Sequence, residues 1–155
     1  GLTLAKLRRA EANMMLSNWS DSKKDLEQIV ADAPHHHHAL TQLAACYISM
    51  ERPEKAEAPL NEALRLAPEH TDAWHQRGLL YLDWGREEAA LNDFEAAVRC
   101  DGNHLDARLH IAAIHHEAGR FIEASGAWKG VLAIEPEHAV ARRRREECDM
   151  ALATM

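Results

Sequence analysis

Apolar residues recur along the chain at spacings of three and four, the signature of one-sided helices and not of alternating strands. Leu40, Leu43, Ala44 and Tyr47 make one stripe, and Ala56, Leu60 and Ala63 make the next. Trp74, Gly78 and Tyr81 followed by Ala90, Phe94 and Ala97 repeat the couple, as do Ile111 and Ala112 followed by Ala124, Trp128 and Val131. Pro34, Pro68 and Pro136 punctuate the couples, with Gly102 in the remaining place. Proline has no amide hydrogen to continue the helical ladder, so each marks a stop. The pattern predicts short helices in pairs, joined by tight turns.

The pairs have a period. His36, His70, His104 and His138 recur at a constant spacing of 34, and Ala39, Ala73, Ala107 and Ala141 share that phase. A slip of one residue would destroy all these matches together. Four units follow, 3–36, 37–70, 71–104 and 105–138, and residues 139–155 have the phase of a fifth first helix without its partner. The first unit is degraded: it keeps Ala10, Leu26, Ile29 and Pro34 but places Lys6 and Asn13 where bulky groups are expected. In the clearest unit the order Trp74, Gly78, Tyr81, Gly85, Ala90, Phe94 and Ala97 resembles the tetratricopeptide (TPR) repeat. That resemblance implies an all-α fold, a right-handed α-solenoid of antiparallel helix pairs in which stacked neighbours bury one continuous core. The whole chain then reads as one TPR domain closed by a capping or truncated helix. Because it opens on Gly1 without an initiator Met, it is expected to be a fragment of a larger protein.

Two local departures carry expectations. Pro53 suits the first turn of a helix, but Pro59, six residues on, does not, which predicts a kink or a broken bond in the second helix of unit two. Gly126 and Gly130 weaken the second helix of unit four, by roughly 1 kcal/mol each relative to alanine.

Composition agrees with the periodicity. Alanine and leucine together number 46 against 14 valines, isoleucines and threonines, which disfavours a sheet. The formal charge of −7 gives no general attraction to phosphate backbones, so no nucleic-acid partner is expected. Arg142 to Arg145 run straight into Glu146 and Glu147, and the pairs Arg142–Glu146 and Arg143–Glu147 would sit on one solvated helix face. Cys46, Cys100 and Cys148 are scattered without a C-x-x-C, which suits buried free thiols and neither a disulfide framework nor a zinc ribbon. No apolar run approaches the length that spans a bilayer, and no signal peptide is recognisable, so direct membrane insertion is not expected and a soluble, cytoplasmic location is favoured.

Candidate chemistry is thin. His35, His36, His37 and His38 form a run that could hold a soft divalent metal. A histidine-dependent metal binder is therefore the alternative from a different functional class. Against it, the run occupies an inter-repeat turn, and histidines one repeat apart are too far from one another to share an ion. His115 takes the slot of Tyr47 and Tyr81 and is expected to line the core, while His116 points elsewhere. No nucleophile elbow, phosphate loop or H-E-x-x-H occurs, so neither an enzyme nor a cofactor is expected.

TPR arrays hold a peptide or helix of a partner against the first helices of successive units, and the resemblance implies the same here. At 100° per residue the stripe facing away from the pair contact contains Thr41, Ala45 and Ile48, then Asp72, His75, Leu79, Leu82 and Asp83, then Leu109, Ala113, His116 and Glu117. Apolar anchors with acidic rims suit a neutral-to-basic partner segment carrying hydrophobic anchors. Some TPR domains grip a C-terminal carboxylate with a cationic clamp. The matching positions here are Leu7, Glu11, Gln42, Asp72 and Gln76, or Thr41, Ala45, Gln76, Asp106 and His110, which disfavours chaperone binding of that kind. Self-association into a homo-oligomer is the alternative within the binding class.

Overall fold

The computed structural model describes residues 1–155 and contains helices without any strand. The helices are α1 (Leu2–Met15), α2 (Trp19–Asp32), α3 (His37–Ser49), α4 (Glu57–Leu66), α5 (Thr71–Asp83), α6 (Glu87–Cys100), α7 (Leu105–Glu117), α8 (Phe121–Ile134) and α9 (Ala139–Ala153). Helices α3, α5, α7 and α9 begin at 37, 71, 105 and 139, so the sequence period is also the period of the backbone. The chain divides into two compact units, 1–80 and 81–155, and the division falls within α5.

In the first unit, α1 packs on α2, α2 on α3 and α3 on α4. Ala10, Leu26, Ile29, Ala39, Leu43 and Cys46 form its buried cluster, with Leu7, Met14, Trp19, Val30 and Tyr47 against it. Alanines at the contacts let the helix axes approach closely. Lys6 and Asn13 leave the expected bulk unfilled, and a polar tie stands nearby instead: Arg9 grips the buried Asp25 through two hydrogen bonds of 2.7 and 2.6 Å. In the second unit, α6 packs on α7, α7 on α8 and α8 on α9. Its cluster is Ala112, Ala124, Trp128, Val131, Ala141 and Cys148.

The turns explain the punctuation. Each of α1, α3, α5 and α7 is followed by a residue with left-handed backbone: Ser17 and Glu51 at φ 59°, Gly85 at 73° and Gly119 at 75°. The following amide reaches back to close the end, as Arg86 N–H does to the Tyr81 carbonyl at 2.8 Å and Arg120 N–H to that of His115 at 2.9 Å. Positive φ is where glycine is free and other residues are strained, which is why Gly85 and Gly119 recur one repeat apart.

Pro59 neither kinks the second helix of unit two nor breaks a bond in it, contrary to the expectation. Helices α2, α6 and α8 run 14 residues each, but α4 has only 10. Its first turn is replaced by a short 3₁₀ segment, Pro53–Lys55, so Pro59 falls in the opening turn of α4, where a missing amide hydrogen removes no bond. Two other expectations need correction. Cys46 and Cys148 are buried but Cys100 is exposed. In the basic run, Arg143 pairs with Glu147 at 3.8 Å, but Arg142 turns back to Glu137 at 3.1 Å instead of reaching Glu146.

No helix is long and apolar enough to cross a membrane.

Candidate partner-binding site

The residues of the expected stripe differ in what they offer. In the first unit, Thr41 is only 2% exposed, and its hydroxyl donates to the His37 carbonyl at 2.9 Å, so it presents no surface. Ala45 is half-buried one turn on, and Ile48 and Leu79 each keep 37% of their surface in water. Asp72 is exposed at the start of α5, with His75 partly covered one turn later. In the second unit, Leu82 is partly covered and Asp83 exposed at the end of α5. Leu109 and Ala113 lean on the core, while Glu117 is exposed at the end of α7.

The four-histidine run does not converge on one point. His35 is exposed. His36 uses Nδ1 to accept the Ala39 N–H at 3.1 Å and so caps α3. His37 meets the His70 ring edge-on with centroids 5.0 Å apart. His38 turns to Glu11, with Nε2 3.3 Å from Oε1, and to the Gln42 amide at 3.1 Å. No group of three His, Cys, Asp or Glu side chains has a geometry that could hold a metal ion. His70 is pushed below the ordinary histidine pKa, first by burial and then by His37.

The densest side-chain cluster forms around His116. Its Nδ1 lies 3.2 Å from the Cys148 Sγ and 3.4 Å from the Trp128 Nε1, which donates to it. Its Nε2 lies 3.4 Å from the Glu147 Oε2 and 3.3 Å from the Arg144 Nη1. Arg144 also donates to the same Glu147 at 3.2 Å. Thiol, imidazole and carboxylate stand in the order of a cysteine nucleophile and its base. The environment works against that use: Cys148 is fully buried, and burial, then Asp149 and Glu147, push its thiol pKa up, away from the reactive thiolate. The cluster holds α7, α8 and α9 in register.

Beside it opens a cavity of about 130 Å³, lined by Ala113, His116 and Glu117 of α7, Trp128 of α8, and Val140 and Arg144 of α9. Three of the six belong to the expected stripe. Trp128, Val140 and Arg144 lie outside that stripe, because Trp128 belongs to a second helix and the other two to α9, beyond the last complete unit. The period carries the signal: Val140 lies two repeats after Asp72, so continuing the phase into α9 reaches it. His115, expected to line the core, is half-buried; burial and then Arg120, whose Nε donates to its Nδ1 at 2.9 Å, lower its pKa.

Residues 43–115 match the family model described as tetratricopeptide repeat. No curated protein sequence matches the chain. Among solved structures, the MamA protein superposes with a TM-score of 0.81 at 15% identity, covering 97% of this chain and 88% of that one. TTC0263, a thermophilic TPR protein of Thermus thermophilus, gives 0.74 at 21% identity over 96% of this chain and 81% of its own. YrrB, described as a TPR protein with an unusual peptide-binding site, gives 0.76 at 19% identity over 93% and 74%. At these identities the likeness is one of fold.

Proposed function

We propose, from the premise that this chain has the tetratricopeptide-repeat fold and matches that family over residues 43–115, that it holds a partner peptide or helix against its first helices. The fold is that of a protein–protein interaction scaffold, and TPR proteins are generally non-catalytic. The repeats we assign are 3–36, 37–70, 71–104 and 105–138, closed by 139–155. The observation that carries the reading is that α3 and α5 leave Ile48 and Leu79 in water although their other faces are packed. Exposed aliphatic side chains among exposed acids are what a partner with hydrophobic anchors would cover. Ala45, Asp72, His75, Leu82, Asp83, Leu109, Ala113, His116 and Glu117 complete the proposed surface; Thr41, being buried, is left out. The peptide-binding site ascribed to YrrB, whose fold is similar, supports the same use. With a net charge of −7, the chain favours a neutral-to-basic segment over an acidic one.

Affinity capture with the wild-type chain and with a His75→Ala, Leu82→Ala, Glu117→Lys variant tests this. A partner recovered by the wild type is expected to bind the variant about tenfold or more weakly in a purified titration. Equal affinity of the two would remove these helices from the interface.

A further inference from the structure

We propose that the cavity over Trp128 is a socket for one leucine-sized side chain of a basic peptide, with Glu117 taking the neighbouring cation of that peptide. This rests on the reading that the first helices bind a partner, and it names the chemistry of one position within it.

Three observations converge. The first is the space. Ala113 of α7, one repeat after Leu79, contributes only a methyl group to the lining. The volume is about 130 Å³. One aliphatic side chain fits, and a helix or a nucleotide does not. Trp128, only 3% exposed, and Val140, 45% exposed, both line it.

The second is rigidity. His116 is tied to Trp128, Cys148 and Glu147, and it meets the Phe121 ring edge-on at 5.9 Å. A wall already ordered in the free protein loses little entropy when a guest arrives.

The third is charge. The rim carries one guanidinium and one carboxylate, and they are not equivalent. Arg144 is committed to Glu147 and to His116. Glu117 is exposed at the end of α7 and enters none of the ion pairs of this unit. The charge the rim leaves open is therefore negative, and a lysine or arginine beside the aliphatic anchor answers it.

The test uses the full chain, isotopically labelled, titrated with the synthetic peptide Gly-Ser-Lys-Leu-Lys-Ser-Gly and followed by the Trp128 indole N–H resonance and the backbone amides. The expected result is a saturable shift of the Trp128 indole with the Ala113, Glu117 and Val140 amides. Replacing the peptide leucine by alanine should weaken binding about tenfold or more. Ala113→Leu, which fills the socket, should abolish the shift while the thermal midpoint stays level or rises. Glu117→Lys should favour a peptide in which glutamates replace the lysines. Undiminished binding by both variants overturns the proposal, as does the absence of any shift at millimolar peptide. Shifts confined to His75, Leu79 and Leu82 also overturn it but leave the broader partner-binding surface standing. Shifts confined to the second helices α2, α4 and α6 would remove both. Concentration-dependent shifts without peptide would assign the socket to a second copy of the chain and overturn the peptide.

Discussion

At the scale of single residues, the histidine period has a cause in backbone chemistry. His36, His104 and His138 each stand just before a helix and accept, through Nδ1, the amide hydrogen three residues on: Ala39 at 3.1 Å, Ala107 at 3.1 Å and Ala141 at 3.2 Å. Those alanines are completely buried, so their amides have no water to turn to. His70 departs from the rule. There the Ala73 N–H goes to the His70 carbonyl at 3.1 Å, and the ring packs toward His37 and His38. The repeat spacing was visible in the sequence, but the capping role was not, because histidine is an uncommon cap and only the bond reveals it. His138→Leu is expected to lower stability by about 1 kcal/mol, and His138→Asn to retain most of it. Denaturant melts compare the two; a leucine variant as stable as the wild type would show that this cap contributes nothing.

Helices show how local rules yield to a repeating frame. Unit two has prolines at 53 and 59, and α4 responds by starting late behind a 3₁₀ turn while still ending in phase at Leu66. The glycines of α8 carry different costs. A methyl group at Gly126 would meet open space, whereas one at Gly130 would come within 2.9 Å of the Arg108 guanidinium. That guanidinium is in use: Arg108 Nε donates to the Gly102 carbonyl at 2.7 Å, the bond that the Trp74 indole makes to the Pro68 carbonyl one repeat earlier. Gly126→Ala should therefore stabilise by about 1 kcal/mol, the helix-propensity difference. Gly130→Ala should gain less, because the arginine must move. Thermal melts of the two variants decide it, and a larger gain at Gly130 would contradict the crowding there.

For the molecule as a whole, histidine burial sets the response to acid. His70, His110 and His115 are all held below the ordinary histidine value of about 6.5, each chiefly by burial. His110 is also stacked on Phe94 with centroids 4.8 Å apart. The folded chain thus binds fewer protons than the unfolded one as pH falls through that range. Stability from these groups is complete above about pH 6.5 and declines below it. Asp25 acts later. Its hydrogen bond to Arg9 holds its pKa below the usual carboxylate value, so its contribution persists until the pH drops beneath about 3.9. The thermal midpoint should fall from pH 7 toward pH 5, and His115→Gln should flatten part of that slope. A midpoint constant across this range would show that these rings reach water when protonated.

Apolar spacing by three and four, and the longer repeat built on it, were enough to determine the helices, their pairing and the family they resemble. Each of these follows from which positions must be apolar, small or helix-breaking, and those demands are local. Tertiary structure alone decided what the phase of a helix cannot carry. It buried Thr41, sent Arg142 to Glu137, left Cys100 in water and gathered Cys148, Trp128, Glu147 and Arg144 around His116. These outcomes depend on side-chain reach across helices far apart in sequence. The cavity beside His116 depends on it most, since it is bounded by residues of α7, α8 and α9.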